Sequence, residues 1–251
     1  MSNRSFQYIY TPKEFSGMVG LDYLSSQFEF ILREKQCNAI IFSGPNGHGK
    51  STLAHIFLLR LFCENPVGLD ACLECDTCRY IVNHYGEPDM LRISGDQLIG
   101  EMVDYIENRC LYAPSILARN VEFIDDLDLA EQTNLCKLIR VLNRYPETLM
   151  VFTVTNLSKV PLPFRQRCKI LPLIKADYPS LERLILQVCA REKILIKDSK
   201  AVSLLISRAD QNPRIILTTL EMCKGESNEL SVEVLNSTVI KSNLQQLTGK
   251  F

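Results

Sequence analysis

An α/β protein with a parallel sheet, followed by a small helical domain, is the fold class this sequence predicts, on three observations. Short apolar runs alternate with amphipathic stretches over residues 1–175. A glycine-rich loop lies between the first buried-strand pattern and an apolar helix. Beyond Leu173 strand signals give way to amphipathic helices. Alternating strands and helices are joined by crossovers, which makes the strands parallel and covers both sheet faces. The 251 residues carry 28 basic and 29 acidic side chains, a net charge of −1, with 46% hydrophobic and 23% charged residues. That composition excludes a disordered or low-complexity scaffold. No run approaches the roughly 20 apolar residues that cross a bilayer. The start, Met1 to Tyr10, lacks the apolar core of a signal peptide, so the expectation is a cytoplasmic chain with no membrane partner. Near-zero charge leaves any DNA contact to a local patch or to other subunits.

Taken in order, Asn38–Ser43 reads as a buried strand, and an apolar helix runs through Phe62. Between them Gly44-Pro45-Asn46-Gly47-His48-Gly49-Lys50-Ser51, followed by Thr52, fits G-x-x-x-x-G-K-[ST]. A strand before and a helix after are the setting this motif needs; the alternative is a chance match in a glycine-rich turn. The chemistry is phosphate binding. Glycines let the backbone approach closely, and successive N–H groups with the helix N-terminus face an anion. Lys50 would bridge the β- and γ-phosphates of ATP, and Ser51 would ligate Mg²⁺.

Directly after that helix, Cys63, Cys72, Cys75 and Cys78 supply four thiolates within residues 63–78. The two x2 spacings suit a structural Zn²⁺ that folds an insertion too small for its own core. An iron–sulfur cluster is the competitor, and zinc is favoured because nothing in the sequence suggests redox chemistry. The other cysteines, Cys37, Cys110, Cys136, Cys168, Cys189 and Cys223, are expected to be buried free thiols among apolar neighbours.

Met90–Ile93, Asn120–Ile124 and Leu149–Thr155 are further strand patterns, with helical patterns at Ile99–Arg109 and Asp128–Asn143 between them. The Val121–Ile124 run ends in Asp125, Asp126 and Asp128. A strand ending in carboxylates has the form of a Walker-B strand, with Asp125 holding Mg²⁺ through water; Asp128 could instead cap the following helix. After a hinge at Ile174–Asp177, helices are expected at about Tyr178–Ala190, Ser199–Ala209 and Pro213–Cys223, with one more short helix and a tail in Ser231–Phe251. The domain expectation is therefore 1–175 and 176–251.

A phosphate loop followed by a four-cysteine insertion resembles the bacterial DNA polymerase III clamp-loader ATPases, the gamma/tau subunit and its relative delta prime, of the AAA+ class. The likeness runs from Tyr10 to about Cys223. Tyr10-Thr11-Pro12 to Val19-Gly20 is similar to the family's adenine-lining opening, with Thr11 and Leu21 in place of its arginine and glutamine. Leu111-Tyr112-Ala113-Pro114 matches the segment ahead of the Walker-B strand. The resemblance puts Asp126 where such ATPases carry a glutamate that activates water, and Asp is one methylene shorter. It implies that Thr155-Asn156 is sensor 1 and that Arg167, in Gln166-Arg167-Cys168, reaches a neighbour's ATP in trans. Arg214, in Asn212-Pro213-Arg214, corresponds to sensor 2 on a helical lid domain.

What the resemblance implies is an ATP-driven subunit of a hetero-oligomeric, pentameric clamp loader, placing a sliding clamp on primer–template DNA during replication. A second reading is a delta-prime-like stator that hydrolyses little and contributes Arg167 to its neighbour; a third is a stand-alone AAA+ remodeller. The family's helical collar domain has no counterpart before Phe251, so assembly is expected through the ATPase domains and partners, or in a shortened paralogue.

Overall fold

The computed structural model describes residues 5–34, 37–83 and 88–248, in two compact units. One turn of helix, α1 (Phe6–Ile9), opens the chain and belongs to the unit that also contains residues 19–21 and those from 174 onward. The other unit, 13–18 and 22–173, carries the sheet.

In the sheet unit, α2 (Ser25–Arg33) precedes β1 (Ala39–Ser43), α3 (Lys50–Phe62) and α4 (Asp76–Asn83). Then come β2 (Met90–Ser94), α5 (Gly100–Arg109), β3 (Val121–Asp125), α6 (Gln132–Arg144), β4 (Leu149–Val154), α7 (Leu162–Arg165) and β5 (Lys169–Pro172). The strand order is β2-β3-β4-β1-β5, and every neighbouring pair is parallel. Both central strands, β1 and β4, are buried along their whole length. That is why their sequences read as continuous apolar runs rather than as alternation. On one face Val103 and Ile106 of α5, Leu135 and Leu138 of α6 and Phe164 of α7 pack on Ile41, Ile124 and Phe152. An aromatic chain marks other packing around β1: Phe15 on Phe28, Phe28 on Phe57 and Phe57 on Phe42, with centroids 4.6, 5.8 and 5.8 Å apart. Each such ring contributes about 1.5–3 kcal/mol by leaving water.

In a parallel sheet all the C-terminal strand ends lie along one edge, the usual place for a ligand. Here the order puts the exits of β1, β3 and β4 side by side, and those exits are Gly44, Asp126 and Thr155.

The helical unit comprises α8 (Tyr178–Glu192), β6 (Leu195–Ile196), α9 (Ser199–Arg208), α10 (Pro213–Glu226), β7 (Glu229–Leu230), α11 (Val232–Asn236) and α12 (Thr238–Thr248). Leu181, Ile185, Leu205, Ile216 and Leu220 form its core. Phe6 is buried in that core, and Ser5 Oγ donates to Glu221 at 2.8 Å; residues 5–12 therefore fold with the later helices, although their sequence precedes the sheet.

Several local expectations change. The helix expected from Asp128 begins at Gln132, because residues 127–129 form a separate 3₁₀ turn and Asp128 is engaged elsewhere. β5 had no strong signal: it is a short edge strand ending in proline, a residue tolerated only where ladder bonds are dispensable. A two-stranded β6–β7 ladder occurs where strands were expected to stop. The C-terminal segment holds two helices rather than one, and residues 249–251 of the expected tail lie outside the described residues. Cys136 is exposed, because it falls off the α6 stripe formed by Leu135, Leu138, Val141 and Leu142. Cys37, Cys189 and Cys223 are buried as expected, and Cys110 and Cys168 are partly so.

Candidate functional site

The loop leaving β1 is built for close backbone approach. Gly44 has φ +151°, and a Cβ there would sit 2.4 Å from the Leu173 carbonyl oxygen. Gly47 and Gly49 have φ of 78° and 87°, and Gly49 is the N-cap of α3. Side chains rarely adopt these angles, so the glycine spacing is a backbone requirement. The loop presents a helix N-terminus to the space above it, an arrangement suited to phosphate. Lys50 is 5% exposed; its Nζ donates to the Pro45 carbonyl at 3.2 Å and to Thr155 Oγ1 at 2.9 Å. His48, also mostly buried, has Nδ1 3.0 Å from the Asn46 carbonyl oxygen, within the loop itself.

The carboxylate end of β3 meets this loop. Ser51 Oγ donates to Asp125 Oδ1 at 2.7 Å, and Thr153 Oγ1 donates to the same oxygen at 2.8 Å. Ser51 and Asp125 thus offer hard oxygen donors of the kind Mg²⁺ takes. The other Asp125 oxygen, Oδ2, accepts from Arg92 through Nε at 3.2 Å and through Nη2. Asp126 has φ 48°, in the left-handed region that aspartate tolerates better than most residues. Its N–H donates to Thr153 Oγ1 at 2.8 Å. Gly95 packs under this turn: a Cβ there would lie 2.2 Å from the Asp126 carbonyl oxygen. Asp128 does not cap a helix. Its two oxygens accept from Thr155 N at 2.9 Å and Asn156 N at 3.1 Å, tying the end of β4 to that of β3. Asn156 turns to its own loop, accepting from Ser158 N and Oγ.

The expected residues therefore divide. Gly44, Pro45, Lys50, Ser51, Asp125 and Thr155 come together, and Asp126 adjoins them. Arg167 does not join them: it follows α7 at the N-terminal end of β5, whereas Gly44 leaves the C-terminal end of the parallel β1. A strand of this length separates the two ends by about 15 Å. Arg167 Nε donates to Asn143 Oδ1 at 3.1 Å. Cys168 beside it is a thiol pushed up to about 12 by burial. Arg214 is exposed on the first turn of α10 in the helical unit, where Asn212 Oδ1 accepts from its N–H at 3.0 Å. Tyr10, in the same unit, donates its hydroxyl to Glu192.

The four clustered cysteines do converge: the Sγ atoms of Cys63, Cys72, Cys75 and Cys78 all lie within 4.8 Å of one another. Tetrahedral Zn–S bonds of about 2.3 Å put sulfurs roughly 3.8 Å apart, so the set is compatible with zinc. Backbone N–H groups point at the sulfurs, Cys72 N to Cys63 Sγ at 3.2 Å and Cys75 N to Cys72 Sγ at 3.4 Å. Burial raises the Cys63 and Cys78 thiols, whereas at Cys75 burial is outweighed by the Thr77 hydroxyl and backbone donors, which bring the thiol down to about 6. A thiolate at neutral pH is the form that ligates metal.

Three residues of the site escaped sequence reading: Arg92, Thr153 and Gly95. A charged residue inside the apolar Met90–Ile93 pattern was the one available signal, since a cation mid-strand needs a partner. Thr153 and Gly95 are ordinary in sequence, and only the packing gives them work.

The sequence profile of the family described as "DNA polymerase III, delta subunit" matches residues 22–177. The tau subunit of DNA polymerase III from Bacillus subtilis is 24% identical over 98% of this chain and 44% of its own length. The gamma/tau subunit from Mycoplasma genitalium is 26% identical over 96% of this chain and 40% of its own length. The chain thus spans less than half the length of these curated relatives. Among solved structures, a variant of Thermotoga maritima RuvB superposes with a TM-score of 0.62 over 95% of this chain and 72% of its own, at 15% identity. That likeness shows a shared fold. Among the described residues no helix is long and apolar enough to cross a membrane.

Proposed function

This chain belongs to the family described as "DNA polymerase III, delta subunit", and from that premise we propose that it is an ATP-binding and ATP-hydrolysing subunit of a clamp loader. Its partners would be the other loader subunits, a sliding clamp and primer–template DNA met mostly through the complex. One observation carries the reading: the Lys50 ammonium bonds Thr155, and Ser51 bonds Asp125, at the mouth of a glycine cradle that a Cβ would fill.

The loop N–H groups and Lys50 bind the triphosphate, holding its terminal phosphoryl at the edge where β3 and β4 end. Phosphoryl transfer asks mainly for positioning and charge stabilisation, so a fixed ammonium and aligned N–H groups are the main contribution. Ser51 would be the residue to hold a Mg²⁺ that arrives with ATP, and the ion would neutralise phosphate charge there, while Asp125 is engaged by Arg92. Asp126 takes the proton of the attacking water, with a reach one methylene shorter than glutamate. Thr155 orients that water, its position fixed by Asp128. Arg167 lies at the far sheet end, which supports a role in trans: its guanidinium would neutralise charge in a neighbour's site. The sheet unit, residues 13–18 and 22–173, is the ATPase domain of this proposal. The helical unit, which takes in residues 5–12 and 19–21 with those from 174 onward, is its lid, with Arg214 reading the nucleotide. Zinc on the four cysteines stabilises the 63–78 insertion.

Asp126 also favours a second reading, the stator that hydrolyses little. Steady-state ATPase of the assembled complex, with clamp and primed DNA, separates the two. Loss of this chain's share of turnover in Lys50→Ala supports the first. Turnover indifferent to Lys50→Ala yet abolished by Arg167→Ala establishes the second.

A further inference from the structure

We propose that Arg92 is a resident cation of the nucleotide site, holding the Asp125 carboxylate that a divalent metal would otherwise use, so that this chain takes up ATP with little dependence on Mg²⁺. The inference rests on the nucleotide reading above and concerns what that site demands of its ligand.

A carboxylate has about four lone-pair sites, and all four on Asp125 are used by this chain itself. Oδ1 accepts from Ser51 and Thr153, and Oδ2 accepts both Nε and Nη2 of Arg92. A guanidinium fork on one carboxylate is the strong, geometrically selective form of such a pair. The fork is also braced. Arg92 stands on β2 opposite Phe123 in the ladder, and its guanidinium carbon lies 4.9 Å from the centre of that ring, a stacked position that arginine favours. The pair is partly sheltered, with the Asp125 side chain 17% exposed and Arg92 35%. His55, one turn beyond Ser51 on α3, adds no second cation. Burial first, and the Arg92 charge after it, bring its pKa down to about 4, so it is neutral at physiological pH.

A metal ion arriving with ATP must therefore displace a braced guanidinium from Asp125 or settle for Ser51 and phosphate oxygens alone. Nucleotide, by contrast, meets the Lys50 ammonium beside an Asp125 carboxylate whose charge Arg92 already offsets. Metal dependence and phosphate binding, usually inseparable at such a loop, are here uncoupled by one strand residue.

The test is calorimetric ATP binding to the full chain in excess Mg²⁺ and in EDTA, with zinc content and melting verified equal in the two buffers, for wild type and Arg92→Ala, together with Mn²⁺ binding followed by electron paramagnetic resonance. Wild-type Kd is expected to differ by less than about threefold between the two buffers, and Arg92→Ala to bind ATP about tenfold or more tightly in Mg²⁺ than in EDTA. Mn²⁺ affinity in the presence of ATP should rise in the variant. Should Arg92→Ala not fold, Arg92→Gln, which keeps planar donors without the charge, makes the same comparison. Wild-type binding that weakens about tenfold in EDTA, or equal metal dependence in wild type and variant, overturns this inference alone. Wild type that takes up ATP in neither buffer overturns the nucleotide reading, and this inference with it.

Discussion

The ammonium of Lys50 donates to the hydroxyl of Thr155 at 2.9 Å, joining the phosphate loop to a residue 105 positions later in the chain. Neither residue is special alone. The bond exists because β1 and β4 are neighbours in the sheet and their last residues leave it together, Ser43 beside Val154. If Thr155 orients the attacking water, Thr155→Ala should lower turnover by about tenfold or more, with a smaller effect on ATP affinity. Thr155→Ser, which keeps the hydroxyl, should retain most activity. Single-turnover kinetics with a parallel Kd measurement separates the two effects; an equal loss in both variants removes the hydroxyl from the mechanism.

Gly95→Ala tests the packing beneath the carboxylates. The added methyl would meet the Asp126 carbonyl oxygen at 2.2 Å, so the turn must shift. Overpacking of this kind costs about 1–3 kcal/mol, or about 2–12 °C of Tm in a unit of this size at roughly 2–4 °C per kcal/mol. Turnover should fall further than stability alone explains, since Asp126 moves. A variant with wild-type melting and turnover would show that the turn is not held where the contact puts it.

Asp126→Glu should maintain or raise ATPase by restoring the reach of the carboxylate. Proton abstraction depends steeply on alignment, so the change reads directly on whether the shorter side chain limits the reaction. A large loss would mean the site is adapted to aspartate.

Metal analysis should return about one zinc per chain from the four-thiolate set. Cys75→Ser, or chelation by EDTA at elevated temperature, should lower folding yield and Tm, because binding and folding are coupled in such modules. Iron in place of zinc, or a Cys75→Ser variant that melts like wild type, contradicts the assignment.

A pH effect on stability should trace to Glu122. This β3 residue is fully buried, bonded to Arg109 Nε at 3.0 Å, and burial, opposed by that arginine, raises its pKa to about 7. A carboxyl whose folded pKa lies above its unfolded value near 4.5 binds protons more tightly when folded. Its contribution is thus present below the unfolded pKa and is lost as pH climbs through about 7. His55, with its pKa lowered from 6.5 to about 4, works in the opposite sense up to pH 6.5, so the check is the difference between variants. Relative to wild type, Glu122→Gln should lose a component of stability that falls between about pH 5 and 7, read from melting curves at matched ionic strength. An unchanged slope in the variant assigns the effect to other groups.

By itself the sequence determined the elements that local physics controls. Fully buried parallel strands read as apolar runs, the glycine spacing of residues 44–49 follows from backbone angles, and the 63–78 cysteines lie close enough in the chain to share a metal. The helices of residues 178–226 emerged from periodicity alone, with bounds moved by only a few residues. Tertiary structure decided what depends on which strand lies beside which. Only the order β2-β3-β4-β1-β5 sets Thr155 on Lys50 and brings Arg92 to Asp125, and it carries Arg167 to the far end of the sheet. Asp128 looked like a helix cap because sequence shows the nearest backbone N–H groups, whereas its partners at Thr155 and Asn156 arrive from another strand. Such pairings are set by the packing of both sheet faces, a sum over contacts distant in the chain that no local pattern records.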